Sequence, residues 1–553
     1  MSLSRFLLPV LLSAIVGAAP TPGGIQWGPC PTTGPVAANY AGNTSAIECG
    51  SLAVPLDWTE PDSDAIHNIS LVRVPASKQP AKGAIQYNFG GPGVGAINSL
   101  VTQGALYLTL SGGEYDLVTF DPRGVSLELP FVCATSNATI AQMASTPVDL
   151  SISEREARTG WATARANTGI CTYVGNGNET GEYIGTAFMA RDMARVAEEV
   201  SEDGIIHYWG YSYGTTLGAT IAAMFPDKVG GMILDGIQNA KQYYYEFTDL
   251  EMITLTDKVA EYMFESCAQA GPELCPLAAA ASNATGKEMA RDFFNFVDSI
   301  TYEPIGLPGA GSIVDGYAVK SAFWSESYSF TGWKNFTTAL APVLYGSPEE
   351  REVALTAILT AGQSTAEEPA PSLAFTYAFW GIHCADRIPR TSNYNEIAPA
   401  LREMYEASYM FGGLNALTQV LCAQWPWKSK EVYQGNFEAK TKAPILFMSN
   451  SLDAQTPVIS ARNMSAGFEG AVLLENDGVG HAAHSYPTTC QAKHVMAYWA
   501  DRTLPKEGTV CAGEFGPYDG RTWPETLKAL EEGVDLTKNV TISAREWLDN
   551  YYT

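Results

Sequence analysis

After Ala19 the chain has no stretch long and apolar enough to span a bilayer, which takes about 20 residues, so no membrane span is expected. Basic residues are scarce, 33 Lys and Arg against 59 Asp and Glu, giving a formal charge of −26. Such a surface repels nucleic acid and anionic membranes, and neither is expected as a partner. Histidines number six. No C-x-x-C pair exists and no histidine is read at ligand spacing beside a cysteine, so no metal is expected. The glycine-rich Gly90-Gly91-Pro92-Gly93 lacks both Gly-Lys-Ser/Thr and G-x-G-x-x-G spacing, which excludes a phosphate loop and leaves no cofactor to expect. No internal repeat appears.

What is present points to an oxidising, secretory route. Met1–Ala19 reads as a signal peptide, with Arg5, an apolar stretch from Phe6 to Val16, and small residues for cleavage. Eight Asn-x-Ser/Thr sequons stand at Asn43, Asn68, Asn137, Asn178, Asn283, Asn335, Asn463 and Asn539, the glycosylation candidates of a secreted, extracellular protein. Ten cysteines fall into couples along the chain. Sequential pairing would join Cys30 to Cys49, Cys133 to Cys171, Cys267 to Cys275, Cys384 to Cys422 and Cys490 to Cys511. A 46% hydrophobic fraction and 553 residues exclude disorder and exceed one ordinary domain.

Short β-branched and aromatic runs alternate with helical patterns up to Leu234, which argues for an α/β fold with a mostly parallel sheet covered by helices on both faces. The rhythm breaks after Ile237, with helical patterns rich in aromatics and no strand, and resumes at Pro444. Four segments follow: signal 1–19, first core part 20–238, a large, mainly helical cap insertion 239–440, and C-terminal core part 441–553. A monomer is expected.

Gly210-Tyr211-Ser212-Tyr213-Gly214 lies between an apolar run, Ile205–Trp209, and a helical pattern, Thr215–Phe225. That is the context of a nucleophile elbow, which exposes a serine at the end of a strand. Serine needs a base and the base an orienting acid. Asp453 follows the strand Pro444–Asn450, and His481 follows the strand Ala471–Glu475, both on the edge that carries Ser212. His484 competes with His481, which is preferred because glycines precede it; Asp235, after the next strand, is the alternative acid. Gly91 and the N–H of Tyr213 are the oxyanion candidates.

Asn88–Gly93, Phe120–Val125, Gly210–Thr215, Leu234–Gly236, Ser451–Pro457 and Gly478–His481 together resemble the secreted tripeptidyl aminopeptidase branch of the α/β-hydrolases, related to proline iminopeptidase. The chain departs at Gly124-Val125-Ser126, where Gly-Val-Gly is usual, and at Asn88-Phe89, where a histidine is usual. The resemblance implies an α/β-hydrolase fold and a serine peptidase releasing tripeptidyl or prolyl groups from free N-termini, with a carboxylesterase as the alternative. The substrate is then a peptide or a small ester. An aminopeptidase needs a counter-charge for the substrate ammonium, and Glu246, Asp249 and Glu251 are the candidates. A catalytically silent binding scaffold is disfavoured because a candidate exists for every triad member.

Overall fold

The computed structural model describes residues 24–32, 46–136, 139, 143, 149–282, 284–309, 311–361, 371–537 and 543–551. The signal segment 1–19 and the sequons at Asn43, Asn137, Asn283 and Asn539 lie outside them; Asn68, Asn178, Asn335 and Asn463 are exposed.

Nine strands form one sheet. In chain order they are β1 (Glu48–Pro55), β2 (Ile66–Val74), β3 (Ala84–Asn88), β4 (Asp116–Phe120), β5 (Ile206–Tyr211), β6 (Val229–Asp235), then, after a two-stranded hairpin β7 (Ile305–Leu307) and β8 (Ser312–Val314), β9 (Ile445–Leu452), β10 (Val472–Val479) and β11 (Val510–Cys511). Their spatial order is β1-β2-β4-β3-β5-β6-β9-β10-β11. Among the described residues of this sheet only the pairings β1–β2 and β2–β4 between named strands are antiparallel. The middle strands β3, β5, β6 and β9 are buried nearly throughout. They therefore read as continuous apolar runs rather than alternating ones. Parallel strands in a row put their carboxyl ends on one edge, where β6 ends in Asp235 and the following loops and turns carry Gly91, Ser212 and Asp453.

The segment between β6 and β9 is mainly helical, but it also holds the β7–β8 hairpin, which the sequence reading missed. Each of its strands is three residues long, too short for a period to register. The edge strand β11, two residues long, was missed for the same reason. β10 runs past Glu475, where the sequence pattern ends it, to Val479. Its pairing with β9 shifts register between Asn476 and Val479, so a turn-like Asn-Asp-Gly is carried inside a strand as a bulge. Asn476 is buried there because its Nδ2 donates to Asn450 Oδ1 and the Tyr486 carbonyl, and its Oδ1 accepts from Thr488.

Two motifs that look chemical are structural. Arg123, fully buried, gives Nε and Nη2 to the Asp192 carboxylate at 2.6 and 2.9 Å and further N–H groups to the Pro55 and Leu56 carbonyls. This fixes the loop after β4 to the end of β1 and to the helix Thr186–Val200. Asp121 accepts the Ile97 N–H at 3.0 Å, holding the first turn of helix Ala96–Leu110, which follows the glycine-rich loop.

Five disulfides join the cysteines in the sequential pairs. The sequence reading overlooked His494, which lies with Cys490 and Cys511 in a group whose atoms approach ligand distances. The two sulfurs are bonded to one another, which removes them as thiolate ligands. Among the described residues no helix is long and apolar enough to cross a membrane.

Candidate active site

β5 passes to the helix Tyr213–Met224 through Ser212 alone, which has φ 55° and ψ −124°, a backbone geometry that side chains rarely adopt. A Cβ on Gly210 would lie 2.3 Å from the Gly214 carbonyl oxygen, and one on Gly214 would lie 2.6 Å from that of Asn88. Both positions therefore need glycine for the turn to close. The Ser212 N–H donates to the Asp235 carbonyl at 3.1 Å. Tyr213, as first residue of the helix, has an N–H without an intrahelical acceptor, at the positive end of the helix dipole. Its phenol is anchored on Thr186 Oγ1 at 2.5 Å, and Thr186 in turn donates to Asp386 Oδ2 at 2.6 Å.

Asp453 and His481 meet. The imidazole Nδ1 lies 3.1 and 3.2 Å from the two carboxylate oxygens of Asp453. The carboxylate also accepts the N–H groups of Gln455, Thr456 and Ala482 and the Thr456 hydroxyl, all within 2.9 Å. Burial pushes the Asp453 carboxyl upward, but the His481 imidazole and these donors outweigh it and hold the group below the ordinary carboxylate value. With Nδ1 on the carboxylate, Nε2 is the nitrogen left for a serine proton. The His481 N–H donates to the Tyr328 carbonyl at 2.8 Å.

Ser212, His481 and Gly91 line one cavity of about 640 Å³. Among the described residues no hydrogen bond joins the Ser212 hydroxyl to the imidazole; such bonds are often long in free enzymes and tighten when substrate binds. His484 packs among the rings of Tyr107, Tyr211 and Trp523 and does not line the cavity. Burial lowers it to about 4. The Asp235 carboxylate accepts the N–H groups of Ala483 and His484 rather than the imidazole.

One cavity wall is aromatic, with Trp324 stacked on Phe411 and Phe375 on Phe379. Another is polar and buried, formed by Asp249, His383, Asn415, Gln419 and Gln455. Of the three acids expected to meet an ammonium group, Asp249 alone lines the cavity. Glu246 is exposed, and Glu251 accepts hydrogen bonds from Ser460 and Asn463. Arg387 Nη2 lies 2.5 Å from Asp249 Oδ2 and 2.7 Å from His383 Nε2. Burial and the guanidinium both push His383 down, so it is neutral, accepts from Arg387 at Nε2, and is no ionic partner of Asp249 despite a 3.3 Å separation. Burial pushes the Asp249 carboxyl up, but the Arg387 guanidinium beside it holds it well below the usual range. Its Oδ1 has no protein partner among the described residues, and neither do Gln419 Oε1, Gln455 Oε1 or Asn415 Nδ2. Thr456 and, apart from Asp249, the residues of this polar wall were not read as functional from the sequence.

The family model described as alpha/beta hydrolase fold matches residues 108–271, and the one described as TAP-like protein matches residues 408–511. The chain has the α/β-hydrolase fold and resembles its TAP-like branch. Serine protease Hip1 of Mycobacterium tuberculosis is 27% identical over 511 residues, covering 88% of this chain and 91% of that one. Tripeptidyl aminopeptidase of Streptomyces lividans is 23% identical over 516 residues, 91% and 90% of the two chains. Carboxylesterase B of M. tuberculosis is 26% identical over 525 residues, 91% and 95%. These relatives support a serine hydrolase.

Two other buried acids shape the pH response. Burial, only partly offset by N–H and hydroxyl donors, pushes Asp235 and Asp386 each up to about 7. Between about pH 4 and 7 the folded chain then keeps protons that the unfolded chain has released, so these groups make stability fall as pH rises through that window. Asp453 and Asp249 act oppositely: their contribution is present above the ordinary carboxylate value and is lost as pH falls through their depressed folded values. His67, His207 and His484, each pushed down to about 4 by burial, act against the two raised acids, because below about pH 6.5 the unfolded chain binds protons that they do not. Asp386→Asn, which mimics the protonated acid, is therefore expected to gain melting temperature relative to wild type as pH rises from 5 to 8, by a few degrees in calorimetry. A difference between the two proteins that does not change with pH would contradict the assignment.

Proposed function

We propose that the protein is a secreted serine exopeptidase that releases short peptides, tripeptidyl or prolyl, from free N-termini. Ser212 attacks the carbonyl, and its proton passes to His481 Nε2 while Asp453 holds Nδ1–H. The oxyanion forms against the N–H groups of Gly91 and Tyr213. His481 returns the proton to the departing amine, and water then cleaves the acyl-enzyme by the same steps. The segment 239–440 would cap the site. Secretion is supported by the leader-like start, the sequons and the five disulfides.

The observation that carries the exopeptidase reading is Asp249, a buried, ionised carboxylate lining the cavity that holds Ser212, whose Oδ1 has no protein partner among the described residues. A substrate ammonium there would gain a charge-assisted bond, and the neighbouring amide oxygens of Gln419 and Gln455 would complete its three acceptors. The esterase reading has its own support in the aromatic wall and in the likeness to carboxylesterase B.

A free-amine tripeptidyl chromogenic substrate compared with its N-acetyl form and with a short acyl ester separates the two. Acetylation is expected to lower kcat/KM by about 10²-fold, the worth of a lost bond to a charged group in a site that leaves its partner unpaired. Indifference to acetylation, with fast ester turnover, would favour the esterase. No turnover and no labelling by a fluorophosphonate would leave only a binding scaffold.

A further inference from the structure

The turn after His481 is strained. Ala482 has φ 64° and ψ 148°, a region used almost only by glycine. Such a conformation persists when its surroundings over-determine it, and three side chains do so here. The Ala482 N–H is taken by Asp453 Oδ2 at 2.8 Å. Asn450, at the buried end of β9, gives its amide to the Gly480 and Ala482 carbonyls at 2.9 and 2.8 Å. Asp235 receives the next two N–H groups, Ala483 on Oδ1 at 2.6 Å and His484 on Oδ2 at 3.0 Å. Gly236, the residue after Asp235, packs so closely on the turn that a Cβ there would lie 2.8 Å from that of Ala482.

We propose that Asp235 is a positioning residue: with Asn450 it clamps the strained turn and so sets the place of the His481 imidazole relative to Ser212. This rests on the assignment of Ser212 and His481 as nucleophile and base. The chemistry of the side chain fits the task. Two N–H donors meet two oxygens, an arrangement a carboxylate completes and an amide cannot, since one of its ends is itself a donor. The same residue's carbonyl accepts the Ser212 N–H, so one residue of β6 is bonded to both catalytic loops. Asp235 therefore acts through the backbone of the turn and does not touch the ring, unlike Asp453.

The test measures kcat, KM and the rate of fluorophosphonate labelling, each per folded molecule, in Asp235→Asn and Asn450→Ala. Both variants are expected to lose about 10²-fold in kcat, the effect of misplacing a catalytic group by about 1 Å, with KM within about threefold of wild type and labelling slowed in parallel. In an Ala482→Gly background, where the turn carries no strain, the loss caused by Asp235→Asn should shrink by at least about fivefold. Asn450→Ala keeps the proposal testable should Asp235→Asn not fold. Wild-type kcat in either folded variant, or an equal loss with and without Ala482→Gly, would overturn it. A wild-type enzyme that is not labelled at all would instead sink the assignment of Ser212 and His481.

Discussion

Ser212→Ala is expected to lower kcat by about 10⁶-fold, and His481→Ala by a similar amount, while the double variant falls no further than either alone. Nucleophile and base act as one unit, so removing the second from an enzyme that lacks the first changes nothing. The residual rate over water should come from the proposed oxyanion donors at Gly91 and Tyr213 and from substrate binding, neither of which the substitutions touch. The same variants should lose covalent labelling by a fluorophosphonate, as read by intact mass. Labelling that persisted in Ser212→Ala would identify another nucleophile and dismantle the proposed site. Additive losses would mean that the two side chains do not cooperate.

Asp453→Asn is expected to cost about 10⁴-fold in kcat with little change in KM. The carboxylate takes N–H groups from Gln455, Thr456 and Ala482 as well as contacting His481 Nδ1. An amide has one oxygen to offer in its place, so some of these donors must face another donor. The imidazole would then lose the partner that keeps its proton on Nδ1, and the tautomer with Nε2 free for the serine would no longer be favoured. Thr456 Oγ1, 3.1 Å from His481 Nδ1 and 2.7 Å from Asp453, is a second contact to the same nitrogen. Stopped-flow acylation measures this directly, because the defect should lie in the chemical step. A variant with unchanged acylation would remove Asp453 from the mechanism.

The frame of the candidate site was legible because its signals are local. An apolar strand, a five-residue turn bracketed by glycines and a helical run are contiguous around Ser212, and the same holds for the strand ahead of Asp453. His481 was reached through glycines that allow a sharp turn, although β10 runs to within two residues of it instead of ending at Glu475. The polar wall was not legible. Asp249, His383 and Gln419 come from separated parts of the insertion, and no spacing rule links them. Asp249 stood out only as one of three nearby acids, and the feature that sets it apart, one oxygen without a protein partner among the described residues while Arg387 holds the other, exists only after folding. His494, four residues after Cys490, does stand at a spacing a ligand could use, which the reading of no histidine beside a cysteine did not register.

Every disulfide closes a short local loop: two lie before β6, two between β6 and β9, and one after β9. No covalent bridge therefore connects the piece bearing the serine to the piece bearing the acid and the imidazole, other than the backbone itself. A protease that nicks the insertion outside those loops would leave a protein whose two fragments are held without a covalent link, by the β6–β9 ladder, by hydrogen bonds such as those of Ala483 and His484 to Asp235, and by side-chain packing. Such a cleaved form could keep working while intact, yet once denatured its pieces would have to find each other by diffusion, making recovery dependent on concentration.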